Sequence, residues 1–152
     1  MAGFHFDGID TLTDGLDKLG QLSEEEKFDI LRPAAELLVE KQKKTIRSLF
    51  RQVSGALADS IVFNLRAEGE GAVAHIFLKG KHPKSSTGKR FKHGRSAGKY
   101  SGTNAEVGYI LEHGSPRIQA THWMENTNDE AEDDVIAAEQ EAWDNIVTKK
   151  GL

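Results

Sequence analysis

Apolar positions change their spacing several times along this chain, and each spacing predicts a different element. Between residues 4 and 20, Phe6, Ile9, Leu12, Leu16 and Leu19 recur three and four apart and stop at Gly20, which predicts a short amphipathic helix. Ser23 and Glu26 then form a capping-box pair, in which the hydroxyl takes the third amide of a helix and the carboxylate reaches back to the cap. A longer helix is expected to start there. Phe28, Leu31, Ala35, Leu38, Val39, Ile46 and Leu49 fall on its inner face, with Lys41, Lys43, Lys44, Arg47 and Arg51 largely elsewhere. Pro33 marks either a kink in this helix or a fresh first turn.

Beyond Gly55 the period shortens to two. Ile61, Phe63 and Leu65 alternate with polar neighbours as in a half-buried strand, Glu68-Gly69-Glu70-Gly71 reads as a turn, and Ala72 to Leu78 resumes as a second strand. The pair is expected to be a hairpin. Residues 79–104 hold five glycines, Pro83 and runs of Ser, Thr and Lys, with Phe91 and Tyr100 as the large apolar exceptions, so they read as a long flexible arm. Val107 to Leu111 is a third short element, extended or helical, taken as a strand in the overall order and ended by His113-Gly114-Ser115-Pro116. From about Thr121 to Val147 a helical stripe runs through Trp123, Thr127, Ala131, Val135, Ala138, Ala142 or Trp143, and Ile146. The expected class is α+β: N-terminal helices, a small antiparallel sheet with a long flexible basic loop, and a C-terminal acidic amphipathic helix.

Composition narrows this picture. A chain of 152 residues is expected to form one domain, 1–152, burying roughly two-thirds of its unfolded surface. Hydrophobic residues at 38% suffice for a thin core, and the absence of cysteine excludes disulfides, thiolate metal sites and cysteine nucleophiles. The N-terminus does not read as a secretion signal, and no apolar run approaches the ~20 residues that cross a bilayer. A protein made in the cytosol, with no membrane partner, is expected.

The net charge of −4 matters less than its distribution. Eight bases without an acid (Lys79, Lys81, Lys84, Lys89, Arg90, Lys92, Arg95 and Lys99) occupy the arm, and nine acids without a base lie between Glu125 and Asp144. A subunit with one basic arm and one acidic helix is self-complementary and suits a ring in which the same two patches meet at every interface. The plainer reading is two solvated faces.

Candidate chemistry changes little. His82 and His93 lie in the arm, His75 lies in a strand, and His113 and His122 flank a turn; none has zincin or zinc-finger spacing, so neither metal nor cofactor is expected. Ser23, Ser60 and Ser115 stand in no nucleophile elbow. Glu112 beside His113 is an acid–base pair on paper; the alternative is a carboxylate bonding the amides of the Gly-Ser-Pro turn. Gly80 to Gly102 lacks both phosphate-loop spacings. Its bases, interleaved with Phe91 and Tyr100, are suited to DNA phosphates without sequence readout, or equally to acidic protein surfaces. An enzyme is not expected.

Three stretches in order carry a resemblance. Phe6-Asp7-Gly8-Ile9-Asp10 through Leu19-Gly20 matches an "F-x-G-h-d-x-L" opening, with h apolar. Val53-Ser54-Gly55-Ala56-Leu57-Ala58-Asp59-Ser60-Ile61 matches "(T/S)G-x-L-x-x-S-I", and Tyr109-Ile110-Leu111-Glu112-His113-Gly114-Ser115 matches "Y-x-x-x-(V/L)-E-(F/H)-G-(T/S)". Together they resemble the small tail components of long-tailed bacteriophages, the siphophage neck or tail-completion family. In place of that family's aromatic, proline-containing approach to the last helix, this chain has Thr121-His122-Trp123-Met124-Glu125-Asn126. The resemblance implies structural roles for Gly55, Leu57, Ser60, Ile61, Tyr109, Glu112 and Gly114: Gly55 for a sharp helix exit, Leu57 and Ile61 for the core, Gly114 for a turn. It implies a phage or prophage virion protein at the portal–tail junction, assembled as a ring, often a hexamer in related proteins. Its neighbours would be head-closure or portal-side and tail-tube proteins, and genomic DNA would be a passenger.

Overall fold

The computed structural model describes residues 22–50, 55–83 and 100–151. The helix expected over 4–20, Arg51, Val53 and Ser54, and the arm bases Lys84, Lys89, Arg90, Lys92, Arg95 and Lys99 lie outside the described residues.

Helix α1 spans Glu24–Leu49 and begins on the expected capping box: Ser23 Oγ accepts from the Glu26 amide at 3.2 Å and Glu26 Oε2 accepts from the Ser23 amide at 2.9 Å. Glu24, Glu25 and Glu26 crowd its first turn, where the helix dipole favours negative charge. The helix runs unbroken through Pro33. Pro33 is exposed, so water can serve the Asp29 carbonyl that a proline nitrogen leaves unpaired. Its buried stripe is Ala34, Ala35, Val39, Gln42 and Ile46. Leu49, expected on that stripe, is 55% exposed, and the polar Gln42 occupies an inner position instead.

A one-turn helix, α2 (Ala56–Asp59), leads into strands β1 (Ile61–Glu68) and β2 (Gly71–Leu78). These pair antiparallel from Ile61 opposite Leu78 to Glu68 opposite Gly71, around the two-residue turn Gly69-Glu70, as the alternation predicts. The face carrying Ile61, Phe63, Ile76 and Leu78 packs on the core. Lys27 Nζ donates to the Glu70 carbonyl at 2.6 Å and ties the hairpin tip to the start of α1.

The arm is shorter than its composition predicts. Strand β3 (Lys81–Pro83) pairs antiparallel with β4 (Tyr100–Thr103), so both ends of the expected loop are zipped together. The third strand expected at 107–111 is instead helix α3, Asn104–His113, begun by a second capping box between Thr103 and Glu106. A five-residue apolar run fits either period, and the Thr103/Glu106 cap decides it.

Helix α4, Trp123–Lys149, lies antiparallel to α1. Gln42 meets Asn128 and Thr45 meets Thr127 near one end, Lys41 pairs with Asp134 further along, and Glu26 accepts from Lys150 at the other. Val39, Ile46, Leu57, Ala58, Ile61 and Trp123 form the buried cluster against which Phe50, Val107, Leu111 and Met124 pack. Burying Leu57 or Ile61 contributes about 2 kcal/mol each. The fold is α+β, and no described helix is long and apolar enough to cross a membrane.

Candidate functional site

The two described motif stretches meet at Trp123. The first supplies Leu57, Ala58 and Ile61 to the core around the indole, and the second supplies Leu111. Trp123 is fully buried, and its Nε1 donates to the Gly108 carbonyl at 3.1 Å, which fixes α3 across the start of α4. Gly108 is closely packed on the other side: a Cβ there would come within 3.0 Å of Leu78. Ser60 is also buried, its hydroxyl donating to the Leu57 carbonyl at 2.6 Å.

Gly55 adopts a backbone that any residue can take, while the helix exit expected before it runs through residues outside the described ones. Its backbone is ordinary right-handed helix (φ −50°), and a Cβ would meet Asp59 at an unstrained 3.7 Å. Gly114 does make a turn. Its φ is +80°, and a Cβ would lie 2.8 Å from the Ala120 nitrogen and 2.9 Å from the Ile118 oxygen. That close approach folds residues 114–121 back along α3, where the Thr121 amide donates to the Leu111 carbonyl and the His122 amide to that of Glu112.

Glu112 is buried, and its carboxylate turns away from the Gly-Ser-Pro turn. Oε2 accepts from the Met124 amide at 2.6 Å and Oε1 from the Glu125 amide at 3.1 Å. Both are first-turn donors of α4, whose cap residue His122 has a left-handed backbone (φ 49°) and no side-chain cap bond of its own. Glu112 thus caps a helix from 12 residues away in sequence. Its neighbour His113 faces elsewhere, with its ring 4.4 Å from that of Tyr109. Tyr109 itself is 65% exposed, so this motif residue contributes surface, not core.

Sequence reasoning missed one constellation: Glu112, His122 and Glu125 place ligand-type atoms within 4.8 Å of one another. The requirement of the helix start for a carboxylate accounts for the cluster, because both Glu112 oxygens already hold amides and His122 Nδ1 lies 3.4 Å from Glu125 Oε2.

At the base of the arm the neck is held by Asn104, a residue the sequence did not single out. It is buried; its Nδ2 donates to the Lys79 carbonyl at 2.9 Å, its Oδ1 lies 2.8 Å from His82 Nδ1, and its amide donates to the Gly80 carbonyl. Lys79 and Lys81 are exposed on this clamped neck, and the Lys79 amide donates to the Ser60 carbonyl. No family model, curated protein or solved structure matches the chain.

The acidic helix keeps much of its charge outward. Asp129, Glu130, Glu132 and Asp133 are exposed, while Asp134 pairs with Lys41 of α1. Large apolar side chains share the outside: Tyr109, Ile110 and Ile118 around α3 and its turn, Ile136 on α4, and Phe77 on the outer hairpin face. The arrangement offers charge and apolar contact over a broad area.

Proposed function

We propose that this chain is a structural subunit of a long-tailed bacteriophage, a head–tail connector or tail-completion protein that acts by assembly at the portal–tail junction and is not an enzyme. The convergence of two motif stretches on one Trp123-centred core supports this reading most directly, since it gives Leu57 and Ile61 the packing roles the resemblance implies. The separation of an arm bearing eight bases from a helix bearing nine acids supports it further, as a ring needs two unlike patches on each copy. The protomer collects in the host cytoplasm, closes into a ring with copies of itself, and joins portal-side proteins to the tail tube. DNA passes through without being read or altered.

Deleting the gene from its phage or prophage tests this. The expected result is DNA-filled heads and separate tails in electron micrographs; infectious, fully tailed particles would end the proposal.

The same run of bases, Lys79 to Lys99, favours a second reading as a nucleic-acid-binding module without sequence specificity. Titration with duplex DNA separates the two, because a phosphate-driven site loses affinity steeply with added salt, whereas an assembly arm shows no binding even at low salt.

A further inference from the structure

Strand β2 has β1 on one side and no other strand among the described residues. The two-residue turn makes Glu68 and Gly71 a hydrogen-bonded pair, and the Lys79 amide, donating to the Ser60 carbonyl at 2.8 Å, keeps the same alternation at the far end. Val73, His75 and Phe77 therefore exchange backbone bonds with β1, whereas Ala72, Ala74 and Ile76 turn their amides and carbonyls to the opposite edge. Among the described residues nothing bonds to those outward groups.

This edge opens on an apolar groove of about 300 Å³, with Leu31 and Leu38 of α1 among its lining and Val135 and Glu139 of α4 across from β2. The side chain of Val73 points to the other face of the hairpin from Ala72 and Ala74, yet all three line the groove, so the groove reaches the strand edge itself.

We propose that the groove takes an extended peptide segment of a partner protein, added antiparallel to β2 as a third strand, with alternate apolar side chains on Leu31 and Leu38 and a lysine or arginine at Glu139. Three observations favour this occupant. The outward groups of Ala72, Ala74 and Ile76 are a ladder that only another extended backbone satisfies along its length. The edge is also unguarded: Gly71–Leu78 holds no Lys, Arg, Asp, Glu or Pro and pairs without a bulge, whereas β1 carries Arg66 and Glu68. Finally, Glu139 is partly covered in an apolar lining and has no ion pair among the described residues, so a base on the incoming strand complements it. Small side chains at 72 and 74 leave room for that strand's own apolar residues. The site stands whether or not the chain belongs to a tailed particle.

The probe is a synthetic eight-residue peptide that alternates valine and threonine and ends in lysine, added to the full-length chain. In the chain alone, amide exchange is expected to alternate along β2, fast at Ala72 and Ala74 and slow at Val73 and His75, at every protein concentration. Saturating peptide is expected to slow the fast pair at least tenfold. In an antiparallel strand whose valines sit on the groove floor, the valine amides face β2 and the threonine amides face away. N-methylation of the valine amides is therefore expected to abolish the effect, and N-methylation of the threonine amides to leave it. Glu139→Lys is expected to weaken the peptide about fivefold, and a peptide ending in glutamate to bind that variant as the original binds the wild type. Slow exchange at Ala72 and Ala74 without peptide would overturn the proposal, in favour of a second copy if it grows with protein concentration and of another segment of the same chain if it does not. Rates unchanged by the peptide, or a response indifferent to which amides are methylated, would overturn it equally.

Discussion

Gly114 and Glu112, two residues apart, hold the end of α3 by different physics. Gly114 stands at φ +80° with backbone atoms closer than 3.0 Å to any added Cβ, so Gly114→Ala is expected to cost about 2 kcal/mol or more in chemical unfolding. Gly55→Ala should change stability by less than about 0.5 kcal/mol, since its backbone is already helical and its surroundings are open. Glu112→Ala removes the acceptor of two α4 amides and is expected to lower stability by about 1 to 2 kcal/mol, whereas His113→Ala leaves it within about 0.5 kcal/mol. The sequence marks Gly114 because glycine before Ser-Pro signals a turn. It does not reveal what Glu112 binds, because the partners are 12 and 13 residues away and meet it only through the fold.

Among the elements, α1 was legible almost to its last turn because cap and periodicity agree. Tertiary packing decides what the periodicity does not: α4 runs beside Gln42 and offers Asn128 to its Nε2 at 2.8 Å, while Leu49, expected on the inner face, is left 55% exposed at the helix end. The α3 segment reads as either extended or helical because Val107 to Leu111 is too short for its period to decide, and the helix is settled by Thr103 and Glu106, which repeat the capping spacing of Ser23 and Glu26. The pairing at the ends of the arm is not legible in the sequence because the Asn104 clamp joins residues 22 and more apart. At the start of α1, the Ser23 amide and then Lys150 hold the Glu26 carboxyl below its ordinary range. A carboxyl lowered on folding adds stability above its unfolded pKa and loses it as pH falls through the folded value. Wild type is therefore expected to be more stable than Glu26→Gln at neutral pH, with the difference closing in the acid range; a pH-independent difference in melting temperature would show that the charge is not what stabilises the cap.

For the whole molecule, the charge pattern was readable from residues alone, but the surface that carries it was not. Tyr109, expected to be structural, stands on the outside with Ile110 and Ile118, and Asp134 is already engaged by Lys41. In the proposed assembly, contact would rest on the bases of the arm and on the acids of α4 that remain outward. Charge reversal at Lys89, Arg90 and Lys92 is expected to abolish incorporation into particles while circular dichroism and melting temperature stay those of the wild type. Normal incorporation would show the arm to be dispensable.

The central claim is that this chain is a built-in part of a tailed particle, and quantitative mass spectrometry of purified virions from the phage that encodes it tests that claim most directly. The account predicts the chain in mature particles at a small, fixed copy number relative to the portal, as a ring requires; its absence from particles that are tailed and infectious would contradict it.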